Sequence, residues 1–562
     1  MTLVPRRLTP AAGERGIVLA AALLFVLLTS VLVLTFMTTT TGERSQSSNV
    51  QTAKLALYAA DAGVRTQQQI LANLAQLKID SCVTRWNNAG GVGAIVTTPQ
   101  SLFPPGVLGG SGAATATNPP FNASASIAFA DSDCTPQSQV YNYLFSISST
   151  GNVRSTGRRS VQSQGLLRVS ATRGNFADYL MFLNTFTMAN GSNIWFTSAG
   201  SFDGRVHTNT YFKFAFKPTF QDQVTQHGSN ATFYNNGNAP VSANANNNGT
   251  IDVPNFYGGF LRSQTTVPLP TNSFNQQGAS LGLSLAPGVA PTNSQVNTAC
   301  ATGAGTGTPP NGVYLPHTGT TLTGGIYIQG TVDKVKMWAD TLANKQYYQF
   351  TQGGTNKTVE VDHGLNTTKV WNGLSTGGPP LDLYTNTPPN GVLYTLGAIT
   401  TLTGPDRTPA TGYVNPAVAE NTQMLITATG DITIQGDLTC DSYNNKNNVL
   451  GIFSSGGSVH IGGSAPNNVN IDAFVMATGA TGEFFVDNFG SGTPRGSANL
   501  RGGVVSQFYG AFYTFDSKGN VATGFGRNFH YDRRGLTPPF YPTTTRFDAD
   551  LPSARTVAWK EI

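Results

Sequence analysis

Two short words in this chain place an acid beside a histidine. Asp203 and His207 lie four apart in Phe202-Asp203-Gly204-Arg205-Val206-His207-Thr208-Asn209. His530 and Asp532 lie two apart in Phe529-His530-Tyr531-Asp532-Arg533-Arg534. A carboxylate next to an imidazole is the equipment of general acid–base catalysis. The zinc-protease word H-E-x-x-H and the phosphate-loop word G-x-x-x-x-G-K-[ST] do not occur. These pairs are therefore read as polar closures of turns. No catalytic residue and no cofactor are assigned, and the chain is expected not to be an enzyme. Asn244, Asn246, Asn248 and Asp252 have the spacing of a calcium loop with Gly249 in the turn position. Calcium favours several carboxylates and a final bidentate Glu. Three positions here are Asn and the twelfth is Asn255, so an Asn-rich turn is the expectation and no metal is assigned.

Cys82, Cys134, Cys300 and Cys440 are widely spaced, with no C-x-x-C among them. In an oxidising exterior they form two disulfides by expectation. Of the three connectivities, Cys82–Cys134 with Cys300–Cys440 is the simplest by domain. Four buried free thiols are the other reading.

The elements that carry these residues follow an N-terminal membrane segment. Arg6, Arg7 and Arg15 precede an uncharged apolar run from Ile17 to Met37. As a helix this run is about 31 Å long, enough to cross a bilayer. The basic flank predicts a cytoplasmic N-terminus and an extracytoplasmic remainder. Thr29, Ser30 and Thr35 hydrogen-bond back to the helix by expectation. Proline is absent from Ala11 to Thr98, and Val50, Ala53, Leu57, Ala60, Val64, Leu71 and Leu74 recur at helical spacing. The helix is therefore expected to run on to about residue 79, with Gly42 and Gly63 weakening it locally. Its outer half needs a globular domain or like helices to cover it.

Charged residues make up 11% of the chain, well below the ~25% of an average soluble protein. The net charge of +5 drops to +3 without residues 1–16, which carry three Arg and one Glu. That is too weak and scattered for a nucleic-acid surface. The 63 glycines and 31 prolines, with plentiful aromatics, describe a turn-rich β protein rather than a disordered one. Residues 80–175 read as a small β region with a Gly/Ala/Thr/Pro-rich loop. Residues 176–562 read as a large β domain. There the unit Gly-x-apolar-x-apolar-x-Gly recurs at Gly324–Val332, Gly430–Leu438 and Gly457–Gly463. One such rung cannot bury its apolar face, whereas stacked rungs can. The fold class is α+β, mainly β: a long helix, then a β-solenoid-like domain, with a β-sandwich as alternative. Residues 221–310 read as surface loops projecting from the core.

Glu14-Arg15-Gly16, the apolar run, Thr38 to Arg44 and Leu57-Tyr58-Ala59-Ala60-Asp61-Ala62-Gly63-Val64-Arg65 together resemble the N-terminal region of PilX-type minor pilins. The resemblance implies a prepilin-type leader, residues 1–16, cut between Gly16 and Ile17, with the helix retained. It implies partners among other pilins through the helix, and a path from the inner membrane to the pilus surface. Major pilins carry Glu at the fifth position after the cut; here that residue is Ala21. The tip subunit of type II secretion pseudopili also lacks this carboxylate, so a minor or tip role is expected. Ala21, Glu43, Arg44, Asp61 and Arg65 are the candidate assembly contacts. The words around Asp203 and His530 resemble uncharacterised regions that follow such N-termini in large envelope proteins. Two functions follow: a pilus subunit displaying an adhesive or assembly domain toward a host or surface ligand, or a membrane-anchored protein that binds or cleaves carbohydrate.

Overall fold

The computed structural model describes residues 14–88, 107–108, 121–135, 138–153, 157–198, 201–235, 238–242, 252–385, 388–409, 411–442, 447–516 and 520–562. The chain forms two compact units: residues 1–173 with 547–562, and residues 174–546.

The first unit is built on one helix, Glu14–Asn88, about 110 Å long. It continues past residue 79 because Ile79 and Trp86 still have apolar neighbours to bury against. From Ile17 to Met37 the large apolar side chains are all exposed, and this segment is long and apolar enough to cross a membrane. Its hydroxyls do turn back onto the helix: Thr29 Oγ1 donates to the Phe25 carbonyl at 2.8 Å and Ser30 Oγ to that of Val26 at 2.6 Å. That removes the cost of unpaired donors in lipid.

The distal half is amphipathic. Thr52, Ala56, Ala59, Ala60, Val64, Gln67, Leu71, Ala75, Ile79 and Trp86 are buried, one stripe at three- and four-residue steps. The stripe lies on an antiparallel sheet of Phe121–Cys134, Ser138–Val153 and Gly157–Asn175. Alternation along the strands turns Tyr141, Tyr143, Phe145 and Ile147 inward with Val161, Leu167 and Val169. The C-terminal strand Ser553–Glu561 pairs antiparallel with residues 161–168. The first unit is thus closed by the end of the chain, and the second is inserted between its strands. Asn87 fastens that return: its Nδ2 donates to the Phe547 carbonyl at 2.9 Å, and its Oδ1 accepts from the Phe547 N–H at 2.8 Å.

Helix and sheet approach closely through small residues. A Cβ added to Gly151 would collide with the Ala56 carbonyl and come within 2.6 Å of the Ala60 nitrogen. One added to Gly63 would meet Ser149 and the Phe121 ring. Gly63 therefore serves packing, although it costs about 1 kcal/mol of helix propensity.

The second unit winds. Val392–Leu396, Gln423–Ala428, Val449–Ser454, Asn470–Ala477 and Pro494–Phe508 stack in parallel in one sheet. Ile399–Thr403, Ile432–Ile434, Val459–Ile461 and Phe484–Val486, each lying between two of those strands in sequence, stack in parallel in another. This is the solenoid-like arrangement rather than the antiparallel sandwich. Ile426, Ile452 and Val475, in register, fill the interior with Ile432, Val459 and Ile461. An antiparallel meander, Lys334–Asp340, Lys345–Gln352, Thr355–Asp362 and Thr367–Asn372, extends the second sheet.

Residues 221–310 are not simply projecting loops. Val224, Phe233, Val267, Leu281 and Val296 are buried, and two short helices, Phe274–Ser280 and Asn293–Ala299, belong to this segment. Turn-forming composition there conceals apolar anchors set too far apart to show a period.

The two expected disulfides are corrected: Cys82, Cys134, Cys300 and Cys440 are free thiols, and no two lie at bonding distance. Cys300 packs on the Val296–Tyr327–Tyr394 cluster, whereas Cys440 packs on the main core. Cys82 and Cys134 both border the cluster around Tyr141. Burial pushes the Cys300 thiol up to about 12.

Gly151→Val should destabilise the first unit by about 1–3 kcal/mol through overpacking. Gly42→Ala, with nothing near its added methyl, should be neutral or stabilising by up to about 1 kcal/mol. Thermal melts followed by circular dichroism check both; equal behaviour of the two variants would refute the close-packing account.

Candidate functional site

Parallel stacking brings the polar words together across the second unit. Asn470, Asn499 and Asn528 occupy one register position on successive strands. Asn499 Nδ2 donates to Asn470 Oδ1 at 3.1 Å, and Asn528 Nδ2 to Asn499 Oδ1 at 2.9 Å. At one end Asn470 Nδ2 donates to Asp437 Oδ1 at 3.1 Å, and Arg407 grips Asp437 with Nε at 2.6 Å and Nη2 at 2.8 Å. At the other end His530 Nε2 lies 3.0 Å from Asn528 Oδ1, and His530 Nδ1 lies 2.8 Å from Asp203 Oδ2. A continuous polar chain runs from Arg407 to Asp203.

The acid–histidine pairs of the sequence are exchanged in this arrangement. Asp203 holds His530, not His207, because Phe202 and Phe529 are parallel partners and both are buried. The Asp203 carboxylate also accepts the Tyr531 N–H at 2.8 Å. Asp532 is taken by Arg534, at 3.0 and 2.7 Å. Both ring nitrogens of His530 face acceptor oxygens, an arrangement that ties neighbouring rungs together.

His207 is buried. Its Nδ1 lies 2.8 Å from Thr225 Oγ1 and its Nε2 3.0 Å from Asn209 Oδ1, with the Phe182 ring centroid at 4.8 Å. Burial, with smaller contributions from Arg546 and Arg205, lowers it to about 4, against the hydrogen bond to the Asn209 amide oxygen, which raises it. A second histidine column escaped the sequence reading: His460 sits between Thr433 Oγ1 at 3.0 Å and Asp487 Oδ1 at 2.8 Å. Thr433 and His460 are strand partners, a relation visible only once the rungs are in register.

Gly278-Ala279-Ser280-Leu281-Gly282 spells the G-x-S-x-G word of hydrolase nucleophile elbows. Its context differs: Ser280 ends a short helix, is fully buried, and donates to the Gln277 carbonyl at 2.8 Å. An elbow needs a strand–turn–helix with an exposed hydroxyl. Of the calcium-loop residues, Asn244, Asn246 and Asn248 lie outside the described residues. Asp252 is buried and accepts the Phe216 N–H at 3.0 Å. Among the described residues no cluster of His, Cys, Asp and Glu could hold a metal ion.

The assembly residues all lie on the long helix. Gly16 and Ile17 are near its start, and Ala21 is exposed within the bare apolar segment. Glu43 and Arg44 are exposed. Asp61 and Arg65 pair with each other at 3.0 Å across one helical turn. Such a surface pair contributes little.

A bare apolar helical segment continues as the spine of a helix-on-sheet unit. Residues 15–65 match the family described as PilX N-terminal, so the chain carries a PilX-type N-terminal region of a type IV pilus-related pilin. Residues 140–229 match a domain of unknown function, DUF4900. No curated protein and no solved structure matches the chain.

Because His207 is held neutral, its contribution to folding is fully present above about 6.5 and is lost as pH falls toward about 4. The loss is on the order of 3 kcal/mol. Urea unfolding of the wild type across that range should be steeper in pH than that of His207→Gln; equal slopes would refute the assignment.

Proposed function

We propose that this chain is a minor, non-catalytic subunit of a type IV pilus or related pseudopilus, placed at the tip or initiating assembly. Its β-rich second unit is displayed for adhesion or assembly contacts. The observation that carries the reading is the division of the single helix Glu14–Asn88: the Ile17–Met37 half is bare, and the distal half is seated on its own sheet. The bare half fits an inner-membrane anchor before assembly, with the N-terminus cytoplasmic. Burial against the helices of other pilins then drives incorporation. Tyr58 and Leu77, each 67% exposed on the distal half, extend the surface offered to those neighbours.

Ala21 supports the terminal position. A subunit with a free N-terminal amine in an apolar filament core needs a carboxylate close to it. A subunit with no other above it has no amine to neutralise, so Ala21 is harmless there and costly along a shaft.

Intact mass and N-terminal sequencing of protein from sheared filaments should give a chain beginning at Ile17, and immunogold labelling should mark filament ends. A chain beginning at Met1 or Thr2 and confined to membranes would sink the filament reading. Labelling along the whole shaft would sink the terminal position alone.

A further inference from the structure

The antiparallel meander of the second unit presents a row of side chains away from the core. Val335 and Met337 point inward and are buried, so Lys336 and Trp338 stand on the other face. Trp338, Tyr347, Glu360 and Lys369 are partners across four successive strands. The Trp338 and Tyr347 rings stack with centroids 5.0 Å apart and planes 1° from parallel. Tyr347 Oη donates to Glu360 Oε2 at 2.7 Å, and Lys345 and Lys369 reach Glu360 Oε1 at 3.2 and 3.3 Å. Burial raises the Glu360 carboxyl, but the Tyr347 hydroxyl and the two lysines outweigh it and hold the group below its ordinary value. The aromatic pair is therefore braced from behind.

Pro405 and residues 413–416 border the same face. Pro405, Tyr413, Asn415 and Pro416 line, with Trp338 and Gln349, an open cavity of about 550 Å³. This is within the ~300–1,000 Å³ of small-ligand sites. The border is fastened at three points. The Ala339 N–H donates to the Pro416 carbonyl at 3.1 Å, Lys336 Nζ reaches Asp406 Oδ2 at 3.0 Å, and Asn415 Nδ2 donates to the Asp406 carbonyl at 3.2 Å. Tyr413 is 62% exposed, so one side of its ring is open to a ligand.

We infer that this cavity binds a neutral saccharide. The chemistry is specific to that class. A pyranose ring presents a face of polarised C–H bonds, which the negative π face of Trp or Tyr attracts. Its rim of hydroxyls needs hydrogen-bond partners; the amide nitrogens of Gln349 and Asn415 are bonded to the Leu374 and Asp406 carbonyls, which leaves their amide oxygens to accept, beside the Lys336–Asp406 pair. Lys336 is already neutralised by Asp406, so the site holds no surplus charge for a phosphate or a carboxylate. A lipid chain would strip water from those polar groups without replacing its hydrogen bonds, at a cost. The inference rests on the display reading for its setting and names the kind of surface the displayed unit meets.

Purified full-length protein, in a detergent without a sugar headgroup, is titrated with cellotetraose, chitotetraose and maltotetraose by calorimetry and tryptophan fluorescence. Binding of at least one is expected. Trp338→Ala and Tyr413→Ala should each weaken it about tenfold or more, a loss of about 1.4 kcal/mol. Tyr257→Ala, at an exposed tyrosine outside the cavity, should leave it unchanged. Tyr413→Ala is the decisive variant, since an exposed ring is removed without disturbing the core. No binding to any of the three sugars, or binding that survives Tyr413→Ala in folded protein, overturns the inference. Filament incorporation is read separately from the N-terminal sequence, so either reading can fail without the other.

Discussion

Everything in the first unit depends on how closely one helix approaches one sheet. Ala56, Ala59, Ala60 and Gly63 face Gly151, Ser149 and Phe121 with no room for a further carbon. Close approach lets a narrow stripe of small side chains exclude water along the helix. A bulkier stripe would lift the helix from the sheet and expose the inward row Tyr141, Tyr143, Phe145 and Ile147. The C-terminal strand Ser553–Glu561 completes the same sheet by pairing with residues 161–168.

The second unit depends on stacking instead. A rung of three to six residues buries little by itself; its neighbours supply the rest of its interior. Parallel register then dictates what happens outside the core. Like residues fall above one another, so three asparagines in different turns become a hydrogen-bonded column. The column continues into Arg407–Asp437 on one side and His530–Asp203 on the other. Polar groups at these edges satisfy one another along the stack, which favours a single register over slipped ones. The same geometry gives the meander its braced aromatic pair, because cross-strand partners on one face must touch.

Elements with a strong local signal were legible in the sequence. The apolar run, the absence of proline and the helical spacing of Val64 and Leu71 gave the helix, and the Gly-x-apolar-x-apolar-x-Gly words gave the rungs. The acid–histidine chemistry was legible in kind but not in pairing. Asp203 and His207 looked like partners because they are four apart. Asp203 follows the short strand Ser201–Phe202, and His207 lies in another, Val206–Thr208, that pairs with different neighbours, whereas His530 lies on the strand beside Phe202. The disulfide expectation failed for the same reason: spacing along the chain says nothing of which cluster a cysteine joins. The cavity beside Trp338 had no sequence signal, since its walls come from four separate stretches that are each ordinary: residues 336–341, Gln349, Leu374, and Pro405 with residues 413–416.

By itself the sequence determined the properties that depend on near neighbours and on composition. These are a helix long and apolar enough for a bilayer, its PilX-like continuation, and a β-rich remainder of low charge. They follow from hydrophobicity and local periodicity, which a chain carries before it folds. Only the tertiary structure decided that the last strand returns to the first unit and that Asp203 meets His530. It alone left the cysteines apart and set Trp338 and Tyr413 around one cavity. These depend on contacts between residues tens to hundreds of positions apart. Their geometry is set by strand register and by which apolar faces find each other, and no local pattern encodes that.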